Sequence, residues 1–245
     1  MWIKICGNTS LEDARFAAQS GAHAVGFVFA PSPRQVEAKL VRQITEKLPP
    51  QVEKYGVFVD AGFDQIVATV AAAGLTGVQI HRSSDALLPL RLRQHFAQFP
   101  ARLGILRVLN YKDKEFAGQL ADLSRDESLD GVLVDSSSQR AVGGTGTSFN
   151  WLEARSSFLQ AAPHLRLIAA GGLAPENVKQ AIEVLHPWGV DVVSGVESAP
   201  GRKNPARVLA FIRSAQQAAA EIAEAEGYGL QPVRKRLRAR NGFSR

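Results

Sequence analysis

The feature that most constrains this chain is a change of period that recurs eight times: a short, β-branched apolar run gives way to an amphipathic stretch rich in Ala, Leu, Gln and Glu. Strand side chains alternate between two faces, whereas a helix gathers residues three and four apart onto one face, so each change of period marks a change of element. The strand-like runs lie at residues 3–6, 24–29, 54–59, 77–80, 103–109, 131–135, 165–169 and 190–194, and the helical patterns at 11–20, 36–48, 64–73, 85–96, 115–123, 151–161, 175–185 and 205–226. Asn8 and Ser10 suit the capping of the first helix, and Pro175 and Pro205 stand where a first helical turn tolerates proline. Strand then helix, repeated, predicts an all-parallel sheet, because parallel neighbours need a crossover between them. An open doubly wound sheet and a closed barrel share that order. The count of eight, a length of 245 residues against about 250 for a single barrel, and the lack of an early G-x-G-x-x-G favour one α/β domain built as a (β/α)8 TIM barrel.

The charge is unevenly placed. Of 29 Lys and Arg, six (Arg234, Lys235, Arg236, Arg238, Arg240 and Arg245) fall in residues 228–245, which hold no acidic residue; the other 23 balance the 23 Asp and Glu. The net charge of +6 therefore belongs to a tail, and the expected organisation is a barrel domain over 1–227 and a basic C-terminal tail over 228–245. Such a tail can touch nucleic acid or simply be solvated. Its few aromatics, Tyr228 and Phe243, are too sparse for a base-stacking surface, so nucleic acid is not an expected partner. One cysteine rules out an intrachain disulfide or a multi-cysteine cluster, and the five histidines, His23, His81, His95, His164 and His186, lack metal-ligand spacing. No metal or other cofactor is expected. No apolar run approaches the roughly 20 residues of a membrane span, and strand-like sequence from residue 2 leaves no room for a signal peptide, which favours the cytoplasm. Monomer and homodimer both remain open.

Polar and glycine-rich residues cluster just after the strands: Gly7-Asn8, Pro31-Ser32-Pro33-Arg34, Asp60, His81-Arg82, Asp135 to Gly146, Gly171-Gly172 and Gly195-Val196-Glu197. Strand ends and βα loops form the active face of a barrel. Gly171 and Gly172 after the seventh strand, with Ser194 and Gly195 after the eighth, offer backbone amides where barrels commonly bind phosphate. Asp135, ending an apolar strand, is either a candidate proton donor or a loop-ordering carboxylate. The stretch 141–151 lacks the Lys-Ser/Thr ending of a P-loop and reads as a substrate-covering loop. Arg34, on a loop stiffened by two prolines, suits a carboxylate or stays a surface cation. Cys6 shares a strand face with Lys4, whose ammonium would bias the thiol toward thiolate while an apolar setting opposes it; the same thiol can equally be packing.

Together these residues resemble the phosphoribosylanthranilate isomerase family of tryptophan biosynthesis. The ordered set runs from Lys4-Ile5-Cys6-Gly7 through Gly26-Phe27-Val28-Phe29, Pro31-Ser32-Pro33-Arg34, Gly56-Val57-Phe58-Val59, Val78-Gln79-Ile80-His81, Leu133-Val134-Asp135, Gly143-Gly144-Thr145-Gly146 and Ala170-Gly171-Gly172-Leu173 to Ser194-Gly195-Val196-Glu197 and Pro200-Gly201, across about residues 2–213. The resemblance implies a ribulose-phosphate-binding barrel that takes a phosphorylated aminosugar and performs an Amadori rearrangement by general acid–base catalysis. It implies Asp135 as acid and Cys6 as base, with Lys4 supporting the thiolate. Arg34 would hold the anthranilate carboxylate, Gln79 and His81 would line the site, and Gly171, Gly172, Ser194 and Gly195 would hold the phosphate. Asn150 and Asn204 stand where the family commonly has aspartate, and Leu106 to Asn110 is less typical of its strand. A related barrel enzyme, such as indole-glycerol-phosphate synthase, would rely on other strand-end acids and a lysine base.

Overall fold

In the computed structural model, which describes residues 1–99, 101–111, 115–135, 155–156 and 165–225, eight parallel strands close into a barrel in sequence order. They are β1 (Trp2–Ile5), β2 (Ala24–Val28), β3 (Glu53–Phe58), β4 (Gly77–Ile80), β5 (Gly104–Asn110), β6 (Gly131–Asp135), β7 (Arg166–Ala170) and β8 (Gly189–Val192). The seam is β1 on β8, with Trp2 opposite Gly189 and Ile5 opposite Val192. Seven helices are seen among the described residues: α1 (Leu11–Gln19), α2 (Ala38–Thr45), α3 (Phe63–Ala73), α4 (Leu88–Phe96), α5 (Phe116–Leu123), α6 (Val178–Leu185) and α7 (Pro205–Ala225). The helix expected at 151–161, apart from residues 155 and 156, the loop at 136–150 and the tail at 228–245 lie outside the described residues. After β8 the chain makes a 3₁₀ turn, Ser194–Val196, and a short antiparallel hairpin of β9 (Glu197–Ala199) and β10 (Arg202–Lys203).

The strands read as near-continuous apolar runs because both of their faces are covered. Ile3, Ile5, Val25, Phe27 and Val190 point outward into the helix layer, all fully buried. Trp2, Ala24, Tyr55, Leu106, Val108, Leu133, Ile168 and Ala170 form a separate apolar cluster. At the floor of the barrel Trp2 and Tyr55 meet edge to face, their ring centroids 6.0 Å apart. Those rings occupy space that neighbouring strands vacate: a Cβ at Gly77 or Gly104 would run into Tyr55, and one at Gly189 would stand 2.8 Å from the Trp2 ring. A depression of about 670 Å³ at this floor is lined by Glu53, Tyr55, Arg102, Asp130 and Arg166, at the end of the barrel away from the strand C-termini. Asp130 there is taken up by Arg93 and Arg102, and Glu53 accepts from the Trp2 indole.

Ser10 caps α1 as expected, accepting from the Asp13 amide, but Asn8 does not. Its amide is buried and donates to the carbonyls of Ile5 and Gly26, holding the first βα loop down on the barrel rim. Pro205 opens α7, and Asn204 accepts from the Arg207 amide, so asparagine performs the cap that an aspartate could also supply. Pro175 lies three residues before α6. A turn built on Asn177, which accepts from the Ala174 amide and donates to the Gly172 carbonyl, comes between.

Candidate active site

Because all eight strands run the same way, their C-terminal ends share one mouth, and β1 delivers the first two groups. Lys4 is fully buried inside the barrel, its ammonium donating to Asp191 Oδ1 on β8 and Gln79 Oε1 on β4, both at 2.8 Å. An unpaired ammonium there would be prohibitive. Burial pulls the Lys4 pKa down, but Asp191 and Cys6 more than offset it, so the group is held above its ordinary value and stays charged.

Cys6 follows β1 and continues its ladder through a bond from its amide to the Val192 carbonyl. Its thiol interacts with Lys4 and occupies the space that a Cβ on Gly26 would claim, so β2 needs glycine there. Burial pushes the thiol up, Lys4 draws it down, Asp191 pushes it up again and Lys203 adds a smaller pull down; the net result is a raised pKa. Of the two opposing influences weighed in the sequence, the ammonium is present, but desolvation and Asp191 outweigh it. Such a thiol is a strong base once ionised.

Gln79 links Lys4 to His81. Its Oε1 is committed to the Lys4 ammonium, so its Nε2, 3.1 Å from His81 Nε2, must donate to that ring nitrogen. His81 is consequently neutral with its proton on Nδ1, in keeping with a pKa lowered by burial despite the pull of Asp135. Asp135 ends β6 between Asn110 and Ala170, its carbonyl accepting from the Tyr111 amide. It lies within charge range of His81, which also feels Lys4 and Asp191.

Arg34 reaches the same mouth from the loop after β2, its Cδ crossing Gly7 at 2.9 Å from where a Cβ would stand, with Gly7 at φ +73°. Its guanidinium is charge-coupled to Cys6 and forks onto Glu197, with Nε–Oε1 at 2.8 Å and Nη2–Oε2 at 2.6 Å. After β7, Gly171 and Gly172 take φ of +80° and +65°, a turn that a side chain would strain, and a Cβ on Gly172 would meet only open space. Gly195 packs so tightly on the Leu173 carbonyl that no Cβ fits, which brings the β7 and β8 loops together, while Ser194 is exposed. Among the described residues no group of His, Cys, Asp and Glu could hold a metal, and no helix is long and apolar enough to cross a membrane.

The sequence model of the N-(5'-phosphoribosyl)anthranilate (PRA) isomerase family matches residues 3–214. The chain belongs to that family. PRA isomerases of Rubrobacter xylanophilus and Geotalea uraniireducens are 37% and 39% identical over 219 and 217 residues, in each case 87% of this chain and 98% of the relative. A PRA isomerase crystallised with reduced 1-(o-carboxyphenylamino)-1-deoxyribulose 5-phosphate superposes with a TM-score of 0.72 at 32% identity, and the Thermotoga maritima enzyme with 0.73 at 34%; each alignment covers 89% of this chain and 99% of the other. A 3-hexulose-6-phosphate synthase from Salmonella typhimurium, at 16% identity and a TM-score of 0.64, shares the fold alone.

Within this PRA isomerase barrel, three charged groups of the site went unread in the sequence: Asp191, Glu197 as a partner of Arg34, and Lys203. Asp191 carried a signal. It alternates with Gly189 on the inner face of β8, and a carboxylate inside an apolar strand needs a cation, which closure of the barrel supplies as Lys4 on β1. The pairing of Glu197 with Arg34 and of Lys203 with the Cys6 carbonyl carried none, because those partners come from the distant β2 and β1 loops.

Proposed function

We propose that this chain catalyses the Amadori rearrangement of N-(5-phosphoribosyl)anthranilate to 1-(2-carboxyphenylamino)-1-deoxyribulose 5-phosphate in tryptophan biosynthesis. The observation that supports the reading beyond family membership is the gathering at the barrel mouth of Asp135 ending β6, Cys6 following β1 and Arg34 crossing Gly7, around the hydrogen-bonded chain of His81, Gln79, Lys4 and Asp191. It joins a carboxyl, a basic thiol and an anion-binding guanidinium, which the reaction requires in one place.

In the proposed mechanism the anilino nitrogen lone pair forms the C1=N bond as the C1–O4 bond breaks, and Asp135, in its acid form, gives its proton to O4. The Cys6 thiolate then removes the C2 proton; the C2–H electron pair forms C1=C2 and neutralises the iminium. The resulting enolamine gains a proton at C1 and loses one from the C2 hydroxyl, leaving the ketone. Arg34 holds the carboxylate, and the amides around Gly171, Gly172, Ser194 and Gly195 hold the phosphate. Binding at these two anionic ends orients the reacting carbons between acid and base. The Lys4 ammonium stabilises the thiolate as it forms, and Gln79 and His81 shape the wall with no proton transfer assigned to them.

The proposed setting is the cytoplasm, where a catalytic free thiol is kept reduced. We assign catalysis to residues 1–227 and none to the tail. Incubating the full-length protein with N-(5-phosphoribosyl)anthranilate and following the loss of its fluorescence tests the activity: steady loss with appearance of the deoxyribulose phosphate is expected, and an unchanged signal contradicts it.

A further inference from the structure

Arg34 does not stand alone at the mouth. Glu197, with a side chain only 4% exposed, accepts from its Nε and Nη2 and also from the Lys203 ammonium at 3.2 Å and the Gly201 amide at 3.3 Å. Lys203, 1% exposed, spends its other N–H bonds on the carbonyls of Cys6 at 2.5 Å and Val193 at 3.2 Å. The hairpin that carries both residues is tied to the first loop a second time, by Thr9 donating to the Gly201 carbonyl at 2.6 Å. None of these groups has a part in the proton transfers.

A guanidinium carries five N–H bonds in a planar fork. Glu197 takes the Nε–H and one on Nη2, leaving two on Nη1 and one on Nη2, which have no partner among the described residues. That second edge is itself a two-pronged carboxylate receptor. Glu197 cannot readily swing aside as a competitor, since Lys203 and Gly201 pin it in a desolvated place. Two cations on one carboxylate also leave the trio with a net positive charge, so Arg34 still attracts an anion.

We propose that Glu197 is the positioning residue for Arg34: it anchors the Nε/Nη2 edge so that the Nη1/Nη2 edge meets the anthranilate carboxylate, and Lys203 fastens Glu197 to the backbone at Cys6. Carboxylate recognition and the placing of the base are thereby joined in one device. The inference rests on the functional reading above, deepening it at the carboxylate end.

The test is a pair of binding titrations on the full-length protein. One probe is reduced 1-(2-carboxyphenylamino)-1-deoxyribulose 5-phosphate, and the other its phenylamino counterpart without the ring carboxylate. Glu197→Gln weakens the first probe by about tenfold or more, as expected for misaligning charge-assisted hydrogen bonds, and changes the second by less than about twofold. Combining it with Arg34→Ala adds nothing beyond Arg34→Ala alone. Equal weakening of both probes, or of neither, overturns the proposal. Glu197→Asp, which keeps the charge and withdraws the fork by one methylene, shows the same selective loss and decides the matter if the glutamine variant does not fold; its binding both probes as wild type does would also overturn it. Wild-type protein that binds neither probe would count instead against the isomerase reading.

Discussion

Cys6 serves as a base only in its ionised form, and its surroundings hold that form back. Because the reaction asks Cys6 to accept a proton and Asp135 to give one, kcat/KM is expected to trace a bell against pH. Burial and Asp191, raising the thiol above its ordinary value of 9.0 against the pull of Lys4 and Lys203, place its alkaline limb high. A profile with no alkaline inflection would remove the thiol from the rate equation. Lys4→Met takes away the cation that draws the thiol down, so the alkaline limb moves to higher pH. The same change strands Asp191 without its counter-ion in the barrel and should cost about 3 kcal/mol or more of stability in a denaturant titration. The contribution of Cys6 could be weighed in the sequence because Lys4 stands two positions away on the same strand face. The opposing weight of Asp191 could not, since it arrives across a seam that exists only once β1 meets β8.

At the scale of elements, the barrel is packed by exchange between strands: rings on β1 and β3 fill what glycines on β4, β5 and β8 leave empty. Gly77→Ala therefore drives a methyl into the Tyr55 ring and is expected to destabilise by about 1–3 kcal/mol, read as a lowered thermal midpoint. No change in midpoint would show that Tyr55 can move aside. Most of this scale was legible beforehand. Strand runs at 77–80 and 131–135 match β4 and β6 to the residue, because apolar period and turn residues coincide there. The helix expected from Pro175 starts at Val178, since Asn177 competes for the backbone and makes a turn of its own. Glycine roles were harder to read, as a missing Cβ states that something comes close without naming what.

At the scale of the whole molecule, two ionic devices set the pH window in which the barrel and its mouth stay together. Lys4 is held above its ordinary 10.5, so the stability it contributes is complete below that value and is lost as pH rises through the raised pKa of the folded state. Burial pushes Glu197 up, but Arg34 and Lys203 hold it below its ordinary 4.5; its contribution is present above that value and is lost as pH falls through the depressed one. Stability followed against pH should fall off on both sides of a neutral plateau, and Glu197→Gln should flatten part of the acid limb. Truncation after Gly227 should leave turnover unchanged; a loss would give the basic tail a part in catalysis. The central claim is that this barrel mouth isomerises phosphoribosylanthranilate with Cys6 as base and Asp135 as acid. The most direct measurement is the rate of substrate fluorescence loss for wild-type protein, Cys6→Ser and Asp135→Asn, with folding checked by circular dichroism. Turnover by the wild type and a fall of at least about 100-fold in each folded variant is the predicted result; a Cys6→Ser variant that turns over like the wild type would contradict it.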